Sequence, residues 1–379
     1  MSAALAGMVG PISVTLHAAA ESQSVLLSNL RGPEAEVLSA APDLEVRLRD
    51  VERLPHFEAE YSAGKLLQFN RQGFQLKGPG FIAQVTGLFN AGCRCTVNVG
   101  MLPTDSIRSL LQSAAASIRE RRLVTRTTQE KSLQSVMSYS LFWFLVHAVL
   151  MKKGAGFIHA SSLERNGKGL LFAGAGGCGK TSTTFKLLED ECYRYMAEDF
   201  SILGNDGSLH YSPKAMSIYA SDLRGSPTLL EEYTHAHMSG AQRSFWQRNK
   251  NGPHNPMRKI SPLDVLAAQR ICKKAPLEIA IFLSRGKFKD IEIREIDSNE
   301  FSERSMNASY REMKTLGEIL ALANAVGGDE LGLPDIEAFR DRMRSHFRRS
   351  TLACQCYILE LPEHSQPQQI AEYISKQIG

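Results

Sequence analysis

The chain has 379 residues, with 44 Lys and Arg against 40 Asp and Glu for a formal charge of +4, and 43% of its residues are hydrophobic. At about 100–200 residues per domain there is room for two or three cores. A charged fraction of 22% with 8% aromatic residues excludes a disordered, collagenous or disulfide-stapled chain, and the scattered basic pairs Lys152-Lys153, Lys273-Lys274 and Arg348-Arg349 argue against a nucleic-acid binder.

The stretch from Met1 to Ala20 has no Lys or Arg and is broken by Gly10-Pro11, so no export signal is expected. Seven cysteines without regular spacing point to a reducing, cytoplasmic setting. The first hundred residues favour strands: Leu44 to Leu48 alternates, Phe57, Ala59 and Tyr61 do the same, and Phe74-Gln75-Leu76 lies between glycines. The expectation is an antiparallel β-rich lobe over residues 1–128. From Pro103 the pattern turns helical, with Thr104 or Asp105 as N-cap before Ile107, Leu110, Leu111, Ala114 and Ile118. The uncharged run Ser132–Met151 is diluted by Ser135, Ser138, Tyr139, Ser140 and His147, so it reads as a buried helix and no membrane contact is expected.

An α/β core is expected over 129–300. Its strand candidates are Phe157-Ile158, Leu170 to Ala173, a continuous run from Tyr195 to Leu203, and Leu277 to Leu283. The polar stretch Ser221–Pro262 reads as long loops. Residues 301–379 form a helical region in which Ile336, Phe339, Met343 and Phe347 share one face and Arg340, Arg344 and Arg348 a solvated one. It closes with a strand at Tyr357–Leu361 and a short helix.

The chemistry concentrates in Gly174-Ala175-Gly176-Gly177-Cys178-Gly179-Lys180-Thr181, which fits the Walker A pattern G-x-x-x-x-G-K-[ST] at every fixed position. Glycines let the backbone N–H groups wrap phosphate, and the helix that follows, from Lys180-Thr181-Ser182 on, presents its N-terminus to the charge. Lys180 would reach the β- and γ-phosphates of a nucleotide, and the Thr181 hydroxyl would complete a Mg²⁺ shell. Leu170–Ala173 before the loop and the helical run after it supply the strand–loop–helix order.

Two further features accompany the loop. Glu198-Asp199 puts two acids in an otherwise apolar strand, a costly arrangement unless Mg²⁺ and a proton-accepting role compensate it. His159 precedes the loop's own strand across an Asn166-Gly167 hairpin turn, close enough to support catalysis beside it.

The order His159-Ala160-Ser161, hairpin, Gly179-Lys180-Thr181, helix, Ala197-Glu198-Asp199 resembles the HPr kinase-like family, serine kinases whose fold is related to ATP-dependent phosphoenolpyruvate carboxykinase. The resemblance is tight over about Phe157–Leu203 and looser at Tyr211-Ser212-Pro213-Lys214 and Asn255-Pro256-Met257-Arg258. It implies a P-loop kinase core of that type, ATP and Mg²⁺, and transfer of the γ-phosphoryl group to a serine of a small protein or peptide. Carried over by position, Lys180 binds phosphate, Thr181 and Asp199 hold Mg²⁺, Glu198 stands for the general base, His159 supports it, and Arg258 is the candidate transition-state cation. Where the family has Asp-Asp, Glu198 adds one methylene. A small-molecule kinase on this scaffold and a nucleotide-binding regulatory protein without transfer activity remain the alternatives, and self-association into a homo-oligomer is left open.

The weaker patterns carry less. Cys93-x-Cys95 and Cys354-x-Cys356 lack the spacing of a zinc knuckle and read as strand packing, and His235-Ala236-His237 reads as solvated.

Overall fold

Alternating apolar residues in the N-terminal hundred positions build one sheet, and the glycine-punctuated apolar runs after Gly154 build another. A computed structural model describes residues 3–18, 41–50, 54–64, 67–78, 81–88, 95–101, 142–223, 228–250, 255–331 and 335–378. The architecture is mixed α/β. The chain gathers into two compact units, Met1–Lys153 with Met313–Arg340 and Gly154–Glu312 with Asp341–Gly379, a division that differs from three successive stretches ending at 128, 300 and 379. Among the described residues the α-helices are α1 (Phe142–Lys152), α2 (Lys180–Leu187), α3 (Thr228–His237), α4 (Gly240–Asn249), α5 (Ser298–Glu312), α6 (Lys314–Gly327), α7 (Ile336–Ser350) and α8 (Pro367–Ile378). Among the described residues no helix is long and apolar enough to cross a membrane.

In the first unit, β1 (Ala3–Val9), β2 (Ile12–Ala18), β3 (Leu44–Asp50), β4 (Tyr61–Ala63), β5 (Leu67–Asn70), β6 (Gly73–Gly78), β7 (Phe81–Thr86) and β8 (Cys95–Met101) form a sheet in the order β1-β2-β3-β8-β7-β6-β5-β4. The expected antiparallel lobe is corrected to a mixed sheet, because β3 runs parallel to both β2 and β8. Short connections force neighbours antiparallel, whereas residues 19–43 give the chain length to enter beside β2 in the same direction. Phe57 and Ala59 lie outside any strand, and the alternation continues only as β4. Helix α1 buries Phe142, Trp143, Leu145, Val146, Val149 and Leu150, as a core helix does. The expected helix after Pro103 and positions 133–141 lie outside the described residues.

In the second unit, β9 (Ala155–Ile158), β10 (Ala160–Arg165), β11 (Lys168–Gly174), β12 (Tyr193–Ala197), β13 (Ser201–Gly204) and β14 (Ser208–His210) join the long β17 (Lys274–Gly286), β18 (Glu292–Ile296) and β19 (Gln355–Pro362). The order is β12-β10-β11-β17-β14-β13-β9, with β19 pairing both β17 and β18. β11, β17 and β19 run parallel at its centre, and Leu171, Phe172, Ala173, Ile281 and Leu359 there are fully buried. Such near-continuous apolar runs are what a strand covered on both faces requires. A separate two-stranded ribbon pairs β15 (Met216–Tyr219) with β16 (Met257–Ile260).

Two expectations change here. The run Tyr195–Leu203 is two strands, β12 and β13, because Glu198-Asp199-Phe200 leaves the ladder and Asp199 takes a left-handed φ of 71°. The stretch 221–262 is also more than loops. It holds α3 and α4, in which Leu230, Tyr233 and Trp246 are buried and Ser239 and Gln242 close a capping box. A few apolar anchors at helical spacing suffice when the remaining residues face water.

Candidate functional site

The loop is positioned by its own hairpin. Asn166 (φ 52°) and Gly167 (φ 82°) form the turn that registers Arg165 opposite Lys168 and carries β11 back to end at Gly174. α2 then starts at Lys180, after Gly179 at φ 103°, a conformation that a side chain would strain. Beneath the loop, Arg285 at the end of β17 donates from Nε to the Cys178 carbonyl (3.1 Å) and from Nη1 to the carbonyls of Glu363 (2.9 Å) and Ser365 (3.1 Å). That strap ties the loop to the ends of two central strands. The Cys178 side chain is buried and packs toward Gly174, where an added Cβ would lie 2.7 Å from its Sγ. An added Cβ at Gly176 or Gly177 would meet nothing within 4 Å, so the loop's crest is open.

Lys180 is buried, and its ammonium donates to the carbonyls of Gly174 (2.7 Å) and Ala175 (3.1 Å). It also meets His159 Nε2 at 3.1 Å. His159 lies in the break between β9 and β10, where its backbone N–H donates to Ser309 Oγ of α5 (2.9 Å). Its Nδ1 faces the Asp199 carbonyl (3.1 Å) and carboxylate Oδ1 (3.3 Å). Two oxygens at Nδ1 assign the proton there, and Nε2 is left to accept from Lys180. One imidazole thus bridges the loop lysine to the acid pair, with its ring against the Phe200 ring at 6.1 Å.

The two acids face different partners. Glu198 Oε1 accepts from the Thr181 hydroxyl (2.7 Å), and Oε2 accepts from the Ser217 backbone N–H (3.2 Å). Burial, and then the Asp199 charge, pushes the Glu198 carboxyl above the ordinary carboxylate range. Burial works against the Asp199 charge too, but the Lys214 ammonium paired with it and His159 outweigh that and hold Asp199 below the range. Lys214 is itself only 2% exposed, and its ammonium also lies over the Phe200 ring at 4.9 Å. A third acid, Asp222, is buried beside the start of α2, accepting from Ser182 Oγ (3.3 Å) and the Tyr219 N–H (2.8 Å).

The geometry therefore redistributes the expected partnerships. His159 contacts Asp199 and not Glu198, and Thr181 contacts Glu198 and not Asp199, because the left-handed turn at Asp199 sends the neighbouring side chains apart. Arg258 sits on the ribbon with its Nη1 on the His237 carbonyl (3.2 Å), paired with Ile218 on the face opposite Lys259. Lys214, Asp222 and Lys259 carry no pattern of their own in the sequence. Only the Tyr211–Lys214 segment of the resemblance touched one of them.

Among the described residues no cluster of three or more His, Cys, Asp or Glu could hold a metal. Mg²⁺ needs fewer protein ligands, since it keeps waters and takes phosphate oxygens. The 2.7 Å between Thr181 Oγ1 and Glu198 Oε1 suits adjacent positions of an octahedral shell with bonds of about 2.0–2.1 Å. The other metal patterns go elsewhere. Cys354 and Cys356 are a thiol pair 3.6 Å apart, Cys93 lies outside the described residues, and His237 on α3 stacks on Tyr233 at 4.6 Å. Compared with known proteins, the chain matches no protein-family model and no curated protein.

Proposed function

We propose that this chain is an ATP- and Mg²⁺-dependent kinase with a P-loop core of the HPr kinase-like type, passing the γ-phosphoryl group to a serine hydroxyl of a small protein or peptide. The observation that carries the reading is the continuous contact Asp199–His159–Lys180 beside Thr181–Glu198, which brings residues from three separate segments, the β9–β10 break, the start of α2 and the β12–β13 break, to the rim of one glycine-rich loop. A structural glycine turn with a solvated lysine has no need of it.

In this reading the loop amides and Lys180 bind the phosphates. Thr181 and Glu198 hold the metal: a carboxylate whose burial opposes its charge is one that a cation would relieve, while Asp199 already has Lys214. Mg²⁺ bound there would supply charge neutralisation to the phosphate oxygens. Asp199, ionised before transfer and oriented by His159 and Lys214, takes up the proton of the attacking serine as the new P–O bond forms. The serine oxygen forms the new P–O bond, the bond to the β–γ bridging oxygen breaks, and ADP leaves. This exchanges the roles that the resemblance gives Glu198 and Asp199.

Purified protein incubated with γ-labelled ATP, Mg²⁺ and a polypeptide extract is expected to label an acceptor, and Lys180→Ala to lower labelling by about 100-fold or more. Absence of label in polypeptide and metabolite pools alike, with the variant indistinguishable, would sink the reading.

A further inference from the structure

The ribbon β15–β16 adds a group to this site. Its pairs alternate: Met216 with Ile260 and Ile218 with Arg258 form one face, Ser217 with Lys259 and Tyr219 with Met257 the other. Met216, Ile218 and Ile260 are buried in the core, so the second face is turned away from it. The ribbon reaches the acids at Ser217, whose side chain lies on that second face. The Ser217 N–H donates to Glu198 Oε2, and burial, then the charges of Asp199, Asp222 and Glu198, push the Tyr219 phenol up. Lys259 donates from Nζ to Ser217 Oγ, so only Ser217 and Glu198 separate its ammonium from Thr181.

We propose that Lys259 is a catalytic residue whose ammonium contacts the transferring phosphoryl oxygens from the Glu198 side of the loop, in place of Arg258. It rests on the phosphoryl-transfer reading above. Charge on those oxygens spreads as the bond to the β–γ bridging oxygen breaks, and a fixed cation aimed there favours the transition state over the ground state. Transfer itself moves no proton to or from Lys259. Burial lowers its pKa to about 7, and an anion arriving beside it would raise that again. Alternation along β16 is what selects Lys259 over its neighbour, since side chains one residue apart on a strand point to opposite faces.

The test needs no acceptor: calorimetric binding of MgADP, alone and with aluminium fluoride as the transition-state mimic. Wild type is expected to bind the fluoride complex tighter than MgADP. Lys259→Met should keep MgADP affinity within about 3-fold but lose about 100-fold on the fluoride complex, with partial recovery in Lys259→Arg. Equal tightening in Lys259→Met and wild type overturns the proposal. So does loss of MgADP binding in both Lys259→Met and Lys259→Arg, which would make the lysine structural. No MgADP binding by wild type, or no tightening with fluoride, overturns the phosphoryl-transfer reading itself.

Discussion

Glu198 and Asp199 are sequence neighbours whose charges are pushed in opposite directions by what surrounds them. If Glu198 holds the metal and Asp199 takes the proton, Glu198→Gln should raise the Mg²⁺ concentration for half-maximal transfer about 10-fold or more, whereas Asp199→Asn should lower the transfer rate about 100-fold with little change in Mg²⁺ demand. Rates measured across a Mg²⁺ titration separate the two, and the converse pattern would restore the roles implied by the resemblance. A second residue-scale effect lies away from the loop. His346 of α7 is buried, with Nδ1 at 2.6 Å from Asn205 Oδ1. Burial, reinforced by Arg349, lowers its pKa from 6.5 to about 4. The unfolded chain takes up this proton as pH falls through about 6.5, and the folded chain only near 4. The stability is therefore complete above 6.5 and is lost progressively down to 4. Between pH 7 and pH 5 this one group should cost about 2 kcal/mol, read as a shift in the urea midpoint that a His346→Phe variant does not show.

At the scale of elements, the glycine loop is locked on one side and open on the other. A Cβ at Gly174 would sit 2.7 Å from the Leu283 carbonyl across the β11–β17 ladder, a backbone atom that no rotamer change can move. Gly174→Ala should therefore lower stability by about 1–3 kcal/mol, while Gly176→Ala, whose Cβ meets open space, should leave the melting temperature unchanged. Thermal melts of the two variants decide it. The strands of this region could be read from sequence because buried parallel strands are short apolar runs, and Leu170–Ala173 and Leu277–Leu283 appear as parts of β11 and β17. The break between β12 and β13 could not, since the run Tyr195–Leu203 has no glycine or proline to mark the left-handed turn that Asp199 takes. Helices α3 and α4 were hidden for a different reason: so few of their residues are buried that composition resembles a loop.

For the whole molecule, the site residues all belong to the unit formed by Gly154–Glu312 and Asp341–Gly379. Hydrogen exchange with and without MgADP should therefore show protection at the amides of Gly174–Ser182, Asp199 and Ser217, with the β1–β8 sheet unchanged; protection spread evenly over both sheets would contradict this assignment. The sequence by itself determined the glycine loop with its flanking strand and helix, and marked His159, Lys180, Thr181, Glu198 and Asp199 as candidates, because a Walker A pattern is glycines and a lysine at fixed local spacing. Only the tertiary structure decided which acid meets Thr181 and which meets His159, that Lys214 and Asp222 stand beside them, and that Lys259 reaches Ser217 while Arg258 reaches the His237 carbonyl. Those contacts join positions 15 to 42 residues apart. Contacts over such separations depend on sheet order and strand parity, which leave no local pattern in the chain.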